Sequence, residues 1–208
     1  MSQPDPDPRP EPSWIPDGDG AHDQMLCENW LLRLRRERFR SRSSGKDHDF
    51  FVAYLADGVH VIAVTPEQEV VLVRQFRAGS RRDSLETPGG LLESGEDACL
   101  AGARELLEET GYAGDSPERL GLLWPNPALL SMGITTIVIR NARRVADPHL
   151  DPSEELVVAL APVRDIPAMI RDGRIDHAVC VAGLLWWLAL DESQGGMAHR
   201  IPGDTRAQ

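Results

Sequence analysis

One segment constrains this chain more than any other: GGLLESGEDACLAGARELLEETGY, residues 89–112, which is crowded with acidic side chains and carries a single arginine. From Glu96 to Thr110 its small and apolar residues recur at helical spacing, with Gly95 before them and Gly111 after them. This pattern predicts a helix that follows a tight glycine-containing loop and ends at a glycine.

Three glutamates of the predicted helix, Glu105, Glu108 and Glu109, stand at positions i, i+3 and i+4 and therefore share one face. Like charges at this spacing repel by roughly 0.2–0.5 kcal/mol per pair, so a purely structural helix gains nothing from them. A divalent cation reverses the sign of the interaction, and Mg²⁺ prefers hard oxygen ligands. Judged by charge alone, a solvated acidic face is the alternative to a metal site.

The full spacing favours the metal site. Gly90, five residues, Glu96, seven residues, then Arg104-Glu105-Leu-X-Glu-Glu-X-Gly111-Tyr resembles the signature box of the Nudix hydrolases. The resemblance implies that Glu105, Glu108 and Glu109 bind Mg²⁺ or Mn²⁺ with help from a backbone carbonyl near Gly89. It also implies that an ion pair between Arg104 and Glu96 holds the helix and its loop in place.

The segments around this box predict an α/β fold. The runs DFFVAYLA, VHVIAV, EVVLVRQFR, RLGLLW, ITTIVIRNA and ELVVALAP are apolar or alternating and read as strands, and helices are expected near 163–171 and 176–190. The order is not a regular βαβα repeat, so we expect a Nudix-type α/β/α sandwich around a mixed sheet. The arginine-rich run NWLLRLRRERFRSR is expected to be a long, partly exposed strand, with a helix as the alternative.

Four regions follow from composition and pattern. Residues 1–23 and 192–208 are predicted to be disordered tails because they are rich in Pro, Asp and Gly or in polar residues. Residues 24–56 are predicted to be a β-rich dimerisation segment, and residues 57–191 the Nudix hydrolase domain. The resembled subgroup pairs through N-terminal strands, so a homodimer is expected.

The net charge of −11 argues against nucleic acid and anionic membranes as partners, because both require a basic surface. The apolar run 178–190 is too short to span a bilayer. Cys27, Cys99 and Cys180 are scattered and show no metal-binding spacing, which is typical of reduced thiols in a cytoplasmic protein.

The flanks of the box resemble the ADP-ribose and nucleoside-diphosphate-sugar pyrophosphatases of the Nudix family. The runs VLVRQFR and LETPGG precede the box, and Pro127 follows it at a position where that subgroup has a proline. Arg74 and Arg77 are candidates to clamp phosphates, although strand alternation lets only one of them face the substrate. Arg81 or its neighbour Arg82 is a further candidate, and Glu86 is a candidate contact to base or ribose.

A general base is still needed if cations occupy the box carboxylates. In the resembled subgroup the base is often a glutamate in the loop before the last strand, and LDPSEELVV offers Glu154, the better match, and Glu155. His149 and His177 are the alternatives.

The sequence therefore predicts a Mg²⁺- or Mn²⁺-dependent hydrolase that cleaves nucleoside diphosphate sugars, such as GDP-mannose or ADP-ribose, to a nucleoside monophosphate and a sugar phosphate. The alternative is a catalytically silent Nudix-like module that binds such a nucleotide sugar as a sensor. The intact trio of glutamates favours the enzyme, because a silent module has no need of a complete metal cluster.

Overall fold

The computed structural model describes residues 11–18, 20, 22–150 and 155–194 of the chain. These residues form two compact units. The first comprises Met1–Leu55 with Asn126–Ser131, and the second comprises Ala56–Pro125 with Met132–Gln208. The second unit begins at Ala56, and the short segment Asn126–Ser131 belongs to the first unit.

The first unit is an antiparallel sheet. Its four strands are β1 (Trp14–Pro16), β2 (Gln24–Glu28), β3 (Arg33–Ser41) and β4 (Asp47–Tyr54). The long strand β3 is central and pairs with each of the other three. Its arginines are matched by carboxylates of the same unit: Arg38 lies 2.9 Å from Asp49, and Arg40 lies 2.7 Å from Asp47. These pairs explain how a strand so rich in arginine is accommodated.

The N-terminal predictions need two corrections. The predicted tail of residues 1–23 contains β1, which is antiparallel to the end of β3. The single strand expected from NWLLRLRRERFRSR begins only at Arg33, because the side chain of Asn29 accepts hydrogen bonds from the N–H groups of Leu31 and Leu32 and forms a turn.

The second unit contains two three-stranded sheets and a two-stranded ribbon. Its strands are β5 (Gly58–Ala63), β6 (Glu69–Arg77), β7 (Arg82–Glu86), β8 (Tyr112–Ala113), β9 (Glu118–Leu123), β10 (Ile134–Ile139), β11 (Arg143–Arg144) and β12 (Leu156–Pro162). In the first sheet β10 lies between β5, to which it is parallel, and β9, to which it is antiparallel. In the second sheet β6 lies between β12 and β7, both antiparallel to it.

Helices cover both faces of these sheets. They are α1 (Ala98–Thr110), α2 (Ile166–Arg171) and α3 (Ala178–Gln194), and a 3-10 turn, Val163–Asp165, precedes α2. Alternate residues of β5 enter different cores: Val61 packs in the cluster that contains Leu106 of α1, and Ile62 packs in the cluster that contains Leu184 of α3. The expected α/β/α arrangement around a mixed sheet is therefore confirmed. Of the helices described here, none is long and apolar enough to cross a membrane.

Candidate active site

Helix α1 begins and ends at residues suited to those positions. The Asp97 side chain accepts hydrogen bonds from the N–H groups of Cys99 and Leu100, which is why the helix starts at Ala98 and not at the expected Glu96. At the other end Gly111 adopts φ 74°, a left-handed conformation that glycine takes without strain, and its N–H donates to the Leu107 carbonyl. The helix therefore presents a defined face to the loop that precedes it.

The loop at Gly89 and Gly90 lies directly against β5. The Val59 N–H donates to the Gly90 carbonyl at 2.9 Å, and a Cβ on Gly89 would overlap the Val59 carbonyl oxygen. A Cβ on Gly90 would likewise overlap the Glu105 carboxylate. Glycine is thus required at position 89 by close approach to a strand, whereas a side chain at position 90 would displace the Glu105 carboxylate from the acidic face of α1.

The three glutamates of that face differ in environment. Glu109 is 3% exposed, and its Oε2 accepts a hydrogen bond from the Gly89 N–H at 2.9 Å. The Glu105 side chain is 12% exposed and that of Glu108 is 45% exposed. Solvent exposure along the face therefore increases from the buried carboxylate of Glu109, beside the glycine loop, to that of Glu108.

Arg104 joins the loop and the acidic face. Its Nε and Nη2 donate to the two oxygens of Glu96 at 3.0 and 3.1 Å, which is the predicted ion pair. Its Nη1 donates to Glu105 at 3.0 Å and to Glu108 at 2.9 Å. The hydrogen bonds to Glu96 are the largest cause of a raised pKa of Arg104, and those from Arg104 and the Glu93 N–H lower the pKa of Glu96.

This geometry fits a divalent cation. Two carboxylates, from Glu105 and Glu108, already converge on a single cationic nitrogen, and a third, from Glu109, lies beside the Gly89 backbone. Carboxylate and backbone oxygens are the ligands that Mg²⁺ and Mn²⁺ prefer. The residues predicted to bind metal are thus brought together by one helix and one loop.

A cavity of about 340 Å³ is lined in part by Gly89 and Gly90 of the glycine loop. Its polar side chains include Arg77, at the end of β6, and Glu86, at the end of β7. Arg77 Nε and Nη2 donate to the two oxygens of Glu86 at 2.9 and 2.7 Å. Burial alone would raise the pKa of Glu86, but the hydrogen bonds and charge of Arg77 outweigh it and hold that pKa below its ordinary value.

The other predicted substrate contacts are not brought to this cavity. Arg74 is exposed on β6 and Arg81 occupies the β6–β7 hairpin at φ 57°, and neither lines the cavity as the described residues define it. As strand alternation predicts, only Arg77 of the two β6 arginines reaches it. Arg82 forms an ion pair with Asp176, and Pro127 belongs to the first unit.

Only some of the candidate general bases lie among the described residues. Glu154 lies outside the described residues, and Glu155 is exposed immediately before β12. The backbone N–H of His149 donates to the Glu108 carbonyl at 2.7 Å, which ties the start of this acidic loop to α1. His177 lines the cavity beside Arg77 and Glu86.

Two buried polar residues of the cavity are not predicted by the sequence patterns. His60, on β5, is 4% exposed and contacts Thr87 and Thr136, while Cys180, on α3, is 2% exposed and accepts a hydrogen bond from Thr87. The sequence pattern that indicates a buried His60 is its position inside the apolar run VHVIAV. Burial is the largest cause that lowers the pKa of His60 to about 4, with the nearby charge of His177 adding to it.

Comparisons with known proteins agree with this site. A family model described as NUDIX domain matches residues 54–184. The ADP-ribose pyrophosphatase of Bacillus subtilis is 39% identical over 69 residues, which cover 33% of this chain and 37% of that protein. The GDP-mannose pyrophosphatase of Yersinia pestis is 27% identical over 169 residues, which cover 73% of this chain and 82% of that protein.

A solved structure extends the agreement to the fold. The crystal structure of an ADP compounds hydrolase superposes with a TM-score of 0.73 at 18% identity, covering 84% of this chain and 94% of that one. The match to the Bacillus subtilis protein spans only about a third of that protein's length. The family match nevertheless covers well over half of the present chain and contains the whole acidic helix. The chain therefore belongs to the Nudix family.

Proposed function

We propose that this protein hydrolyses the pyrophosphate bond of nucleoside diphosphate sugars and releases a nucleoside monophosphate and a sugar phosphate. The observation that carries the proposal is the convergence of Glu105, Glu108 and Glu109 next to the Gly89 loop, which also lines a cavity. Relatives named ADP-ribose, ADP-sugar and GDP-mannose pyrophosphatase support this substrate class.

In the proposed enzyme the three glutamates and the Gly89 carbonyl hold Mg²⁺ or Mn²⁺. A cation there supplies charge that stabilises phosphoryl oxygens and lowers the pKa of water. Arg104 keeps the loop and helix in register through Glu96, and it has to yield part of its contact with Glu105 and Glu108 when those carboxylates bind a cation. The substrate itself is a nucleotide sugar, and neither nucleic acid nor a membrane is proposed as a partner.

Arg77 is proposed to bind a phosphate or ribose oxygen of the substrate. Arg77 lines the cavity and its side chain is 44% exposed, while the side chain of its partner Glu86 is 3% exposed. The buried carboxylate therefore orients the guanidinium, and the exposed side of the fork is free to donate to an incoming anion. Glu86 acts in this proposal mainly by holding Arg77, and by accepting a substrate hydroxyl.

Glu154 is proposed to be the general base, with Glu155 as the fallback. Five peptide units separate Glu154 from His149, whose backbone N–H is bonded to Glu108. The chain therefore contacts the backbone of the metal-binding helix only five residues before Glu154 in the sequence. A carboxylate in an acidic loop can then approach after cations and pyrophosphate have neutralised one another.

The first unit is proposed to form a homodimer. Among the described strands β2 pairs with β3 alone, and its neighbourhood exposes apolar side chains: Trp30 is 92% exposed, Met25 45% and Leu26 42%. An open strand edge flanked by exposed apolar residues is an aggregation hazard unless a partner covers it. A cytoplasmic location is proposed because the three cysteines are free thiols.

The proposal is tested by incubating the protein with Mg²⁺ and a panel of GDP-mannose, ADP-ribose, ADP-glucose and UDP-glucose, with chromatography of the products. We expect equal amounts of nucleoside monophosphate and sugar phosphate from at least one substrate, and none in excess EDTA. Tight binding of a nucleotide sugar without any product would instead identify the protein as a binding module.

A further inference from the structure

A second group of potential metal ligands lies inside the cavity. Glu86, His177 and Cys180 each contribute one ligand atom, and these three atoms lie within 4.8 Å of one another. They come from the end of β7 and from the beginning of α3 and the residue just before it. The set offers oxygen, nitrogen and sulfur, whereas the acidic face of α1 offers oxygen alone. Sulfur and imidazole ligands favour zinc-like cations over Mg²⁺.

The imidazole of His177 is available for such a role. Its Nδ1 atom is buried, and no hydrogen-bond partner for it exists among the residues that the structure describes. A buried ring nitrogen without a partner is costly, so it is expected to meet a ligand that enters the cavity.

The sulfur of Cys180 ends a chain of hydrogen bonds that runs from Thr136 through His60 and Thr87. Thr87 Oγ1 donates to Cys180 Sγ at 3.3 Å, which leaves the same oxygen to accept from His60 Nδ1 at 2.9 Å. His60 Nε2 then accepts from Thr136 Oγ1 at 2.7 Å. This assignment of donors is consistent with a neutral His60. It places an O–H donor on the sulfur and orients it, as metal-ligating side chains are oriented by their outer partners.

We propose that Glu86, His177 and Cys180 form a zinc-type cation site that is separate from the carboxylates of α1. Ligand atoms around a tetrahedral Zn²⁺ are about 3.4–3.6 Å apart at ordinary bond lengths, so three atoms that lie within 4.8 Å of one another need to close by at most about 1.4 Å. Arg77 takes two of the four lone-pair positions of the Glu86 carboxylate and leaves room for a cation.

Two ligands of the site carry negative charge when a cation is bound. On binding, the Cys180 thiol releases its proton to solvent, so the thiolate and the Glu86 carboxylate face the two charges of the cation and the one charge of Arg77. The fourth position faces the cavity and stays open to water or to a ligand. The two proposals share Glu86, but their tests are distinguishable, because the cation site is measured by metal binding and not by hydrolysis.

The test is a titration of the full chain with Co²⁺ in excess Mg²⁺, which occupies the oxygen-rich face. We expect one Co²⁺ per chain with a thiolate-to-cobalt charge-transfer absorption band in the near ultraviolet, and we expect Zn²⁺ to abolish the band. Cys180→Ala should remove the band. Cys27→Ala and Cys99→Ala are the matched controls and should retain it.

If Cys180→Ala does not fold, His177→Ala is the second test variant, because His177 is only partly buried and its replacement should leave the fold intact. We expect His177→Ala to weaken Co²⁺ binding at least tenfold. A wild-type protein that shows no thiolate band would overturn the proposal. So would a band that survives in folded Cys180→Ala, or Co²⁺ binding that is unchanged in His177→Ala.

Discussion

Glu109→Gln separates the metal-binding role of the acidic face from its structural role. The side chain is 3% exposed and accepts the Gly89 N–H at 2.9 Å. Glutamine has the same shape and retains an oxygen that can accept this bond, but it carries no charge. In EDTA the free energy of unfolding should therefore change by no more than about 1 kcal/mol, since a charged hydrogen bond is exchanged for a neutral one while a buried charge is removed.

The effect of Mg²⁺ should be much larger. At a concentration of about 100 times the dissociation constant, Mg²⁺ stabilises the wild type by about 2.7 kcal/mol, which for a chain of this size raises Tm by roughly 5–11 °C. If the loss of one ligand weakens binding about a hundredfold, the same Mg²⁺ concentration stabilises the variant by only about 0.4 kcal/mol. Because Mg²⁺ binding is weakened, Glu109→Gln should also lose most of the hydrolytic activity.

The assay is thermal unfolding with EDTA and with Mg²⁺, accompanied by turnover at saturating Mg²⁺. Glu67→Gln is the matched control, because Glu67 is exposed in the turn before β6 and the same charge is removed there. The reasoning is refuted if Mg²⁺ raises the Tm of Glu109→Gln as much as that of the wild type. Turnover of the variant within about threefold of the wild type would refute it equally.

Three further predictions concern the base, the cavity and the assembly. Glu154→Gln should lower kcat by about 10²- to 10⁴-fold with little change in KM, and Glu155→Gln should cost much less; the reverse pattern would move the base by one residue. Arg77→Gln should lower the free energy of unfolding at pH 7 by about 1–3 kcal/mol in urea titrations, because Glu86 is left buried and unpaired. In the wild type the pKa of Glu86 lies below its ordinary value of 4.5, so the stability contributed by the pair is present above pH 4.5 and is lost as the pH falls further. In the variant burial raises the pKa of Glu86, so acidification below pH 7 should stabilise the folded state of the variant. Light scattering should give twice the 23.0 kDa chain mass, and a monomer at micromolar concentration would reject the dimer.

The parts of the site that are local in sequence could be predicted. The face of α1 follows from helical spacing, and the ion pair between Arg104 and Glu96 joins residues only eight positions apart. Strand β6 has the predicted bounds, Glu69–Arg77, and the apolar run at 70–73 is the signal that predicts it. By contrast β7, with the sequence RDSLE, carries too few apolar residues to predict a strand, and only its pairing with β6 defines it.

The cavity could not be predicted, because its polar residues come from separate elements. His60 and Thr136 are 76 positions apart, and Thr87 and Cys180 are 93 apart. Spacing in the sequence contains no signal for contacts at such separations, and a buried cysteine alone is the ordinary state of that residue. The scattered cysteines were therefore interpreted as ordinary reduced thiols, whereas the structure places Cys180 beside Glu86 and His177.

The most direct test of the central claim is phosphorus NMR of ADP-ribose and of GDP-mannose, recorded before and after addition of the protein and Mg²⁺. The claim predicts that the two coupled pyrophosphate resonances of at least one substrate are replaced by two phosphomonoester resonances of equal intensity. The same sample with Glu109→Gln should retain most of the pyrophosphate signal. Pyrophosphate resonances that persist with the wild type, although both nucleotide sugars bind, would contradict the claim.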